Sequence, residues 1–200
     1  MITIYSIKPR FQALLRPLLK TFYHAGITAN HITLSALFLS VATGTVLFIF
    51  PEPAGFLILP FVLFIRMALN AIDGLLAREF NQQSRLGALL NEVGDVVSDV
   101  FLYLPFALLI GSSPALVVAV VMLAILTEFL GVLGQTLNGQ RDYSGPMGKS
   151  DRAAVFGLWA VIIFFWPQML AYSNVVWILM LLLLLWTSFN RARAALREAV

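Results

Sequence analysis

The chain contains no cysteine, and only 12% of its 200 residues carry a charged side chain. The absence of cysteine excludes disulfides and thiol chemistry, and it leaves the redox compartment undetermined. The charged fraction is about half that of an ordinary soluble domain. The net charge of +3 is spread over several predicted membrane boundaries, so it does not indicate nucleic-acid binding. The low charged fraction favours a lipid environment for most of the chain.

Long apolar runs occupy most of the sequence, and 60% of the residues are hydrophobic. Because a helix of about 20 apolar residues spans a bilayer, the runs predict an all-α, polytopic membrane protein with six transmembrane helices. The domain covers residues 29–190, between an N-terminal segment (1–28) and a basic cytoplasmic tail (191–200). The predicted spans are residues 30–50, 56–79, 87–110, 115–138, 151–166 and 174–190.

The N-terminal segment predicts an amphipathic juxtamembrane helix. Basic and apolar side chains alternate over residues 8–22, a pattern typical of a helix lying on an anionic membrane surface. Pro17 is expected to bend or interrupt it. The segment lacks the continuous apolar core of a cleavable signal peptide. Its basic residues are Lys8, Arg10, Arg16 and Lys20.

The positive residues predict the orientation of the spans. Twelve of the 13 lysines and arginines fall on one side of a six-span arrangement, and the remaining Arg66 lies within the second span. Since positive residues concentrate in cytoplasmic segments, both termini are expected in the cytoplasm. The prediction is an integral protein of a bacterial inner membrane.

Polar residues interrupt the second and third spans near their cytoplasmic ends. Asn70 and Asp73 are three residues apart, and Asn91, Asp95 and Asp99 are four apart, so each set shares one helix face. Carboxylates inside a membrane are costly and mark function by default. The two sets lie at similar depth on adjacent antiparallel helices, so we expect them to converge on a cytoplasm-facing cavity.

The residue types in these sets indicate a particular chemistry. Carboxylate and amide oxygens suit hard divalent cations, which predicts one or two Mg²⁺ or Mn²⁺ ions. Arg78 and Arg85 lie at the mouth of the expected cavity, where guanidinium groups pair with phosphates. Metal and arginine above an apolar interior would suit a lipid-linked pyrophosphate.

The same stretch resembles the signature of the CDP-alcohol phosphotransferases (CDP-alcohol phosphatidyltransferases), Asp-x2-Asp-Gly-x2-Ala-Arg-x8-Gly-x3-Asp-x3-Asp. All spacings match, and asparagine replaces the first and third aspartates. The resemblance implies a membrane-embedded homodimer that transfers a substituted phosphate from a CDP-linked lipid donor to an alcohol, releasing CMP. The signature residues in this chain are Asn70, Asp73, Gly74, Ala77, Arg78, Gly87, Asn91 and Asp95.

The resemblance also implies roles for individual residues. Asp95 matches the general base, and the four acidic positions of the signature would surround the metal: Asn70, Asp73, Asn91 and Asp95. Residues 28–33 are similar to the family's entry to the first span, with Ala29 in place of proline. The implied nucleotide-binding residues are Gly74, Ala77, Arg78, Gly87, Asn30 and Thr33. The implied acceptor-binding residues are Arg85, Arg141, Lys149 and Arg152.

The two asparagines leave alternatives open. They reduce the formal charge of the signature from −4 to −2, which weakens attraction for two divalent ions. A degenerate site that binds a CDP-lipid or scaffolds a lipid-synthesis partner is therefore an alternative to an enzyme, and a cation transporter is a third hypothesis. The sequence does not identify the acceptor alcohol.

Two further residues are interpreted as structural. Arg66 and Asp99 are expected at similar depth, where they would pair within 6 Å, with Glu128 as a rival partner for Arg66. His31 is interpreted as a capping or interfacial residue at the start of the first span.

Overall fold

The computed structural model describes residues 8–197, with side chains described from residue 12 onward. Within that range the chain is all-helical, without a strand, and short 3₁₀ segments join some of its seven α-helices. Two predicted segments lie partly outside this description. In the N-terminal segment these parts are residues 1–7 and the side chains of Lys8 and Arg10, and in the basic tail they are residues 198–200. The helices are α1 (Lys8–His24), α2 (Ala29–Ile49), α3 (Ile58–Glu79), α4 (Arg85–Tyr103), α5 (Pro114–Asn138), α6 (Lys149–Phe165) and α7 (Ser173–Ala195).

Helices long and apolar enough to cross a membrane make this an integral membrane protein. Four helical segments of the described chain have the necessary length and composition: Ala29–Ile49, Pro53–Glu79, Pro114–Asn138 and Pro167–Ala195. Each of the six predicted spans overlaps an α-helix, and four of them correspond to these four segments. α4 and α6 are outside the group of four because α4 carries several charged residues and α6 has only 17 residues.

Local capping explains where two of the site-bearing helices begin. Thr28 caps α2 by accepting from the His31 amide, and His31 Nδ1 accepts from the Thr28 amide, both at 3.3 Å. Ser84 caps α4 by accepting a hydrogen bond from the Gly87 amide at 2.9 Å. Such caps satisfy amide groups that have no partner inside the helix. His31 is therefore a capping residue.

An aromatic core holds one end of the bundle together. Tyr103 stacks on Phe156 with ring centroids 4.0 Å apart, and Phe156 stacks on Trp177 at 5.4 Å. Phe106 packs against both Phe156 and Trp177. Trp177 lies in the first turns of α7, so this core is at the opposite end of α7 from Arg191.

A second, smaller cluster attaches α1 to the last turns of α3. Leu19 is buried against Ile72, Leu75 and Leu76. Arg16 forms an ion pair with Glu79 at 3.1 Å. The helix continues through Pro17, so the predicted interruption does not occur.

Close packing of α2 against α4 brings their polar residues near α3. Gly44 of α2 lies so near Phe101 of α4 that a Cβ at this position would collide with the Phe101 carbonyl oxygen. α2 also packs along α3, and α6 packs against α3 as well. The signature residues of α3 and α4 therefore lie among α2, α3, α4 and α6.

Candidate active site

Polar residues of α3 and α4 meet directly. Asn70 of α3 donates from Nδ2 to Asp95 Oδ1 of α4 at 2.9 Å. Asn91 is half-buried four residues before Asp95 on the same helix face. The structure thus brings together both halves of the signature.

Asp73 is held by the neighbouring helix α2. Its side chain is only 5% exposed, and Oδ2 accepts a hydrogen bond from Thr33 Oγ1 at 2.7 Å. Thr33 itself is buried at the start of α2. This contact fixes one carboxylate oxygen of Asp73.

Asp95 has one oxygen surrounded by positive and donor groups. Lys149, the first residue of α6, forms an ion pair with Asp95 Oδ1. Arg66 Nη2 lies 3.5 Å from the same oxygen and donates to the Asp95 carbonyl oxygen at 2.9 Å. With Asn70, three side chains therefore face Oδ1, and Oδ2 is the oxygen that remains for an incoming group.

Two glycines of the signature, Gly74 and Gly87, have polar side chains packed closely against their backbone. A Cβ at Gly74 would lie 3.3 Å from Arg78 Nη1, so the guanidinium group lies over the glycine. A Cβ at Gly87 would lie 2.8 Å from Asn30 Oδ1. Gly87 of α4 and Asn30 of α2 are therefore neighbours, whereas Gly74 and Arg78 are neighbours within α3, where Ala77 lies one residue before Arg78.

Gln82 connects these elements, and the sequence interpretation missed it. Its Oε1 accepts a hydrogen bond from the Ala29 amide at 2.7 Å, which ties the α3–α4 loop to the first residue of α2. No spacing rule indicates such a contact, because the two residues are 53 positions apart.

Arg66 and Asp99 form the contact that their depth predicts. Arg66 Nη1 lies 2.6 Å from Asp99 Oδ1, and both side chains are buried. Asp99 Oδ2 also accepts from Arg152 Nη2 at 2.8 Å. Asp99 therefore lies between two guanidinium groups, on the same face of α4 as Asp95.

The remaining basic residues form a network around Glu128 of α5. Arg152 is fully buried and donates to Glu128 Oε1 at 3.0 Å. Arg191 lies 3.5 Å from that oxygen, and Arg141 bridges Glu128 and Glu92. The interpretation missed Arg191 here, although a charged residue in an otherwise apolar helix was a usable signal. Of the other implied acceptor residues, Arg85 is exposed at the start of α4.

The donor set fits one divalent ion. No cluster of three or more aspartate, glutamate or histidine side chains placed for a metal occurs in the described range. The signature positions supply two carboxylates and two amide oxygens, and Mg²⁺ is often held by one or two carboxylates together with substrate phosphates. One of these two carboxylates, that of Asp95, is also in contact with Lys149.

Three comparisons bear on the identity of the chain. The family model for CDP-alcohol phosphatidyltransferase matches residues 26–189. The inner membrane protein YnbA of Escherichia coli (strain K12) is 56% identical over 194 residues, which cover 97% of this chain and 96% of that protein.

Solved structures share the fold. The Mycobacterium tuberculosis phosphatidylinositol phosphate synthase PgsA1 with CDP-DAG bound has a TM-score of 0.73 at 20% identity, covering 92% of this chain and 97% of that one. The same synthase in complex with manganese and citrate has a TM-score of 0.73 at 20% identity, covering 92% of each chain.

Proposed function

The chain belongs to the CDP-alcohol phosphatidyltransferase family, and from that premise we propose that it transfers a phosphatidyl group in phospholipid biosynthesis. The donor is a CDP-linked lipid such as CDP-diacylglycerol, the acceptor is an alcohol, and CMP is released. The observation that carries this proposal is the convergence of Asn70, Asp73 and Asp95, joined across α2, α3 and α4 by hydrogen bonds.

Asp95 is the general base of the proposed reaction. Because Oδ1 is occupied by Asn70, Arg66 and Lys149, Oδ2 takes the proton from the acceptor hydroxyl. The hydroxyl oxygen then forms a bond to the donor's β-phosphorus while the bond from phosphorus to the CMP oxygen breaks. General-base catalysis of this kind contributes about 10²–10⁴-fold to the rate.

The nucleotide is bound where α2, α3 and α4 meet. Gly74 and Gly87 allow close approach to the backbone, and Arg78, over Gly74, offers a guanidinium group to the diphosphate. Thr33 and Asn30 contribute from α2, through their contacts with Asp73 and Gly87. The full proposed set is Asn30, Thr33, Gly74, Ala77, Arg78 and Gly87.

One Mg²⁺ or Mn²⁺ ion belongs to this proposal. The four signature residues Asn70, Asp73, Asn91 and Asp95 would surround it, with Asp95 Oδ2 kept for the acceptor proton, and when bound it would neutralise the diphosphate and the CMP leaving group. The manganese complex of the synthase with the same fold supports this choice of metal.

Acceptor recognition is proposed for the basic residues near α6. Arg85 is the member best placed to contact a phosphorylated acceptor, because it is exposed at the start of α4. Arg141, Lys149 and Arg152 already contact carboxylates, so they would act on the acceptor indirectly.

The proposed setting is a bacterial inner membrane, with six spans, a homodimeric assembly, and the termini and site on the cytoplasmic side. The distribution of lysine and arginine supports the orientation, and the name of the 56% identical relative supports the membrane. α1 would lie on the membrane surface and, through its packing on α3, beside the site.

The test is release of CMP from CDP-diacylglycerol by the purified chain with Mn²⁺ and a panel of alcohols, including inositol phosphate, glycerol phosphate and serine. We expect turnover with at least one acceptor. Absence of turnover with every acceptor would contradict the proposal, provided that CDP-diacylglycerol still binds.

A non-catalytic CDP-lipid-binding protein is the second candidate. The specific observation in its favour is that two signature carboxylates are amides and that Lys149 pairs with Asp95, the proposed base. This candidate predicts CDP-diacylglycerol binding without CMP release.

A further inference from the structure

Lys149 is placed where positive charge is expected from a metal ion. Its ammonium group contacts Oδ1 of Asp95, the same oxygen to which Asn70 donates. Both side chains of the pair are largely buried, at 27% and 18% exposure. In a poorly solvated site such a carboxylate requires a partner, and here a side chain of the protein provides it.

The position of Lys149 is fixed by its surroundings. The Gly148 amide donates to Asp151 Oδ2 at 3.0 Å, which starts α6 at this point. Three residues further on, Arg152 donates to Asp99. Lys149–Asp95 and Arg152–Asp99 are thus two successive ion pairs between α6 and α4, and the second pair holds the first in register.

The charges of the signature agree with this arrangement. Asparagines at positions 70 and 91 remove two negative charges relative to four carboxylates, which is the charge of one divalent ion. The amide of Asn70 donates to Asp95, as a carboxylate in its place would not. The two asparagines and Lys149 therefore all make the net charge of the site less negative.

We propose that Lys149 is a built-in cation that takes the place of a second divalent ion, so that the site operates with one metal ion at most. This inference rests on the proposed function for its catalytic meaning, although its metal-binding consequence is measurable without turnover. Lys149 neutralises Oδ1 of Asp95 and leaves Oδ2 for the acceptor, which makes it a positioning residue.

The experiment titrates Mn²⁺ alone into the detergent-solubilised full chain and counts bound ions by electron paramagnetic resonance. The wild-type chain is expected to bind no more than one ion. Lys149→Met removes a positive charge beside the ligands and should tighten Mn²⁺ binding by at least about tenfold. The triple variant Lys149→Met, Asn70→Asp, Asn91→Asp should bind two ions.

Lys20→Met is the matched control, since it removes the same charge from the exposed face of α1 and should leave Mn²⁺ affinity unchanged. Two ions bound to the wild-type chain, or unchanged or weaker binding in Lys149→Met, would overturn the inference. Misfolding would weaken Mn²⁺ binding, so tighter Mn²⁺ binding by Lys149→Met cannot result from misfolding. If Lys149→Met does not purify, Lys149→Gln replaces it with the same expectation.

The two proposals fail separately. Absence of CMP release by the wild-type chain would contradict the proposed function, but the number of bound ions would still test the role of Lys149. An ion count of two with normal CMP release contradicts the role of Lys149 and leaves the proposed function intact.

Discussion

Asp99 is a carboxylate between two buried guanidinium groups, Arg66 on α3 and Arg152 on α6. Arg66 is 2% exposed and Arg152 is 0% exposed, so both charges depend on this carboxylate for neutralisation. Removal of one member of a buried ion pair is costly because the charges left behind stay buried.

Asp99→Asn is therefore expected to lower the free energy of unfolding by about 3–5 kcal/mol. Thermal unfolding in detergent measures the change. The control is Arg16→Met, which breaks the exposed pair with Glu79 and should cost less than about 1 kcal/mol. Similar small shifts in both variants would contradict the structural role of Asp99.

Thr33 orients Asp73 through one hydrogen bond of 2.7 Å. Thr33→Val keeps the shape and removes the donor, so kcat/KM for CMP release should fall by about 10- to 100-fold, which corresponds to a hydrogen bond to a charged group. Ser35→Ala is the control, because Ser35 donates only within α2, to the His31 carbonyl oxygen. Equal activity of Thr33→Val and wild type would show that Asp73 needs no such orientation.

At the scale of elements, the contact between α2 and α4 depends on Gly44. Gly44→Ala would place a methyl group against the Phe101 backbone, which must shift, and overpacking of this kind costs about 1–3 kcal/mol. The unfolding midpoint of Gly44→Ala should fall clearly. Gly94→Ala is the control, since a Cβ there meets nothing within 4 Å; a fall of equal size would contradict the close approach.

The elements were largely predictable because apolar runs and their breaks are local. The predicted start of the fourth span at 115 is one residue from Pro114 of α5, where a proline begins the helix. The third span was predicted to residue 110, whereas α4 ends at Tyr103 and a 3₁₀ segment containing Pro105 follows. The sixth span was predicted to end at residue 190, whereas α7 continues to Ala195. Arg191 extends the helix because it pairs with Glu128 and donates to the Thr127 carbonyl oxygen inside the bundle.

The site was predictable only as far as helix periodicity reaches. Spacing placed Asn70 and Asp73 on one face and Asn91, Asp95 and Asp99 on another, and the structure joins these faces. The contacts of Lys149 with Asp95 and of Gln82 with Ala29 could not be predicted. These contacts join helices that are distant in sequence, and only the packing of α6 on α3 and of α2 on α4 brings them together.

At the scale of the whole molecule, the lack of cysteine makes the orientation measurable. Glu52→Cys and Gln83→Cys place single thiols in exposed loops at opposite ends of α3. In intact cells a membrane-impermeant maleimide should label Glu52→Cys only, and Gln83→Cys should react after permeabilisation. The reverse pattern would contradict a cytoplasmic site.

The proposed reaction depends most on Asp95 as the group that takes the acceptor's proton. The most direct measurement compares CMP release from CDP-diacylglycerol by wild type and Asp95→Asn, each with the acceptor that supports turnover. Asp95→Asn should lose about 10²–10⁴-fold in kcat while CDP-diacylglycerol binding is retained. Equal kcat values for the two proteins would contradict the role of Asp95 as the general base.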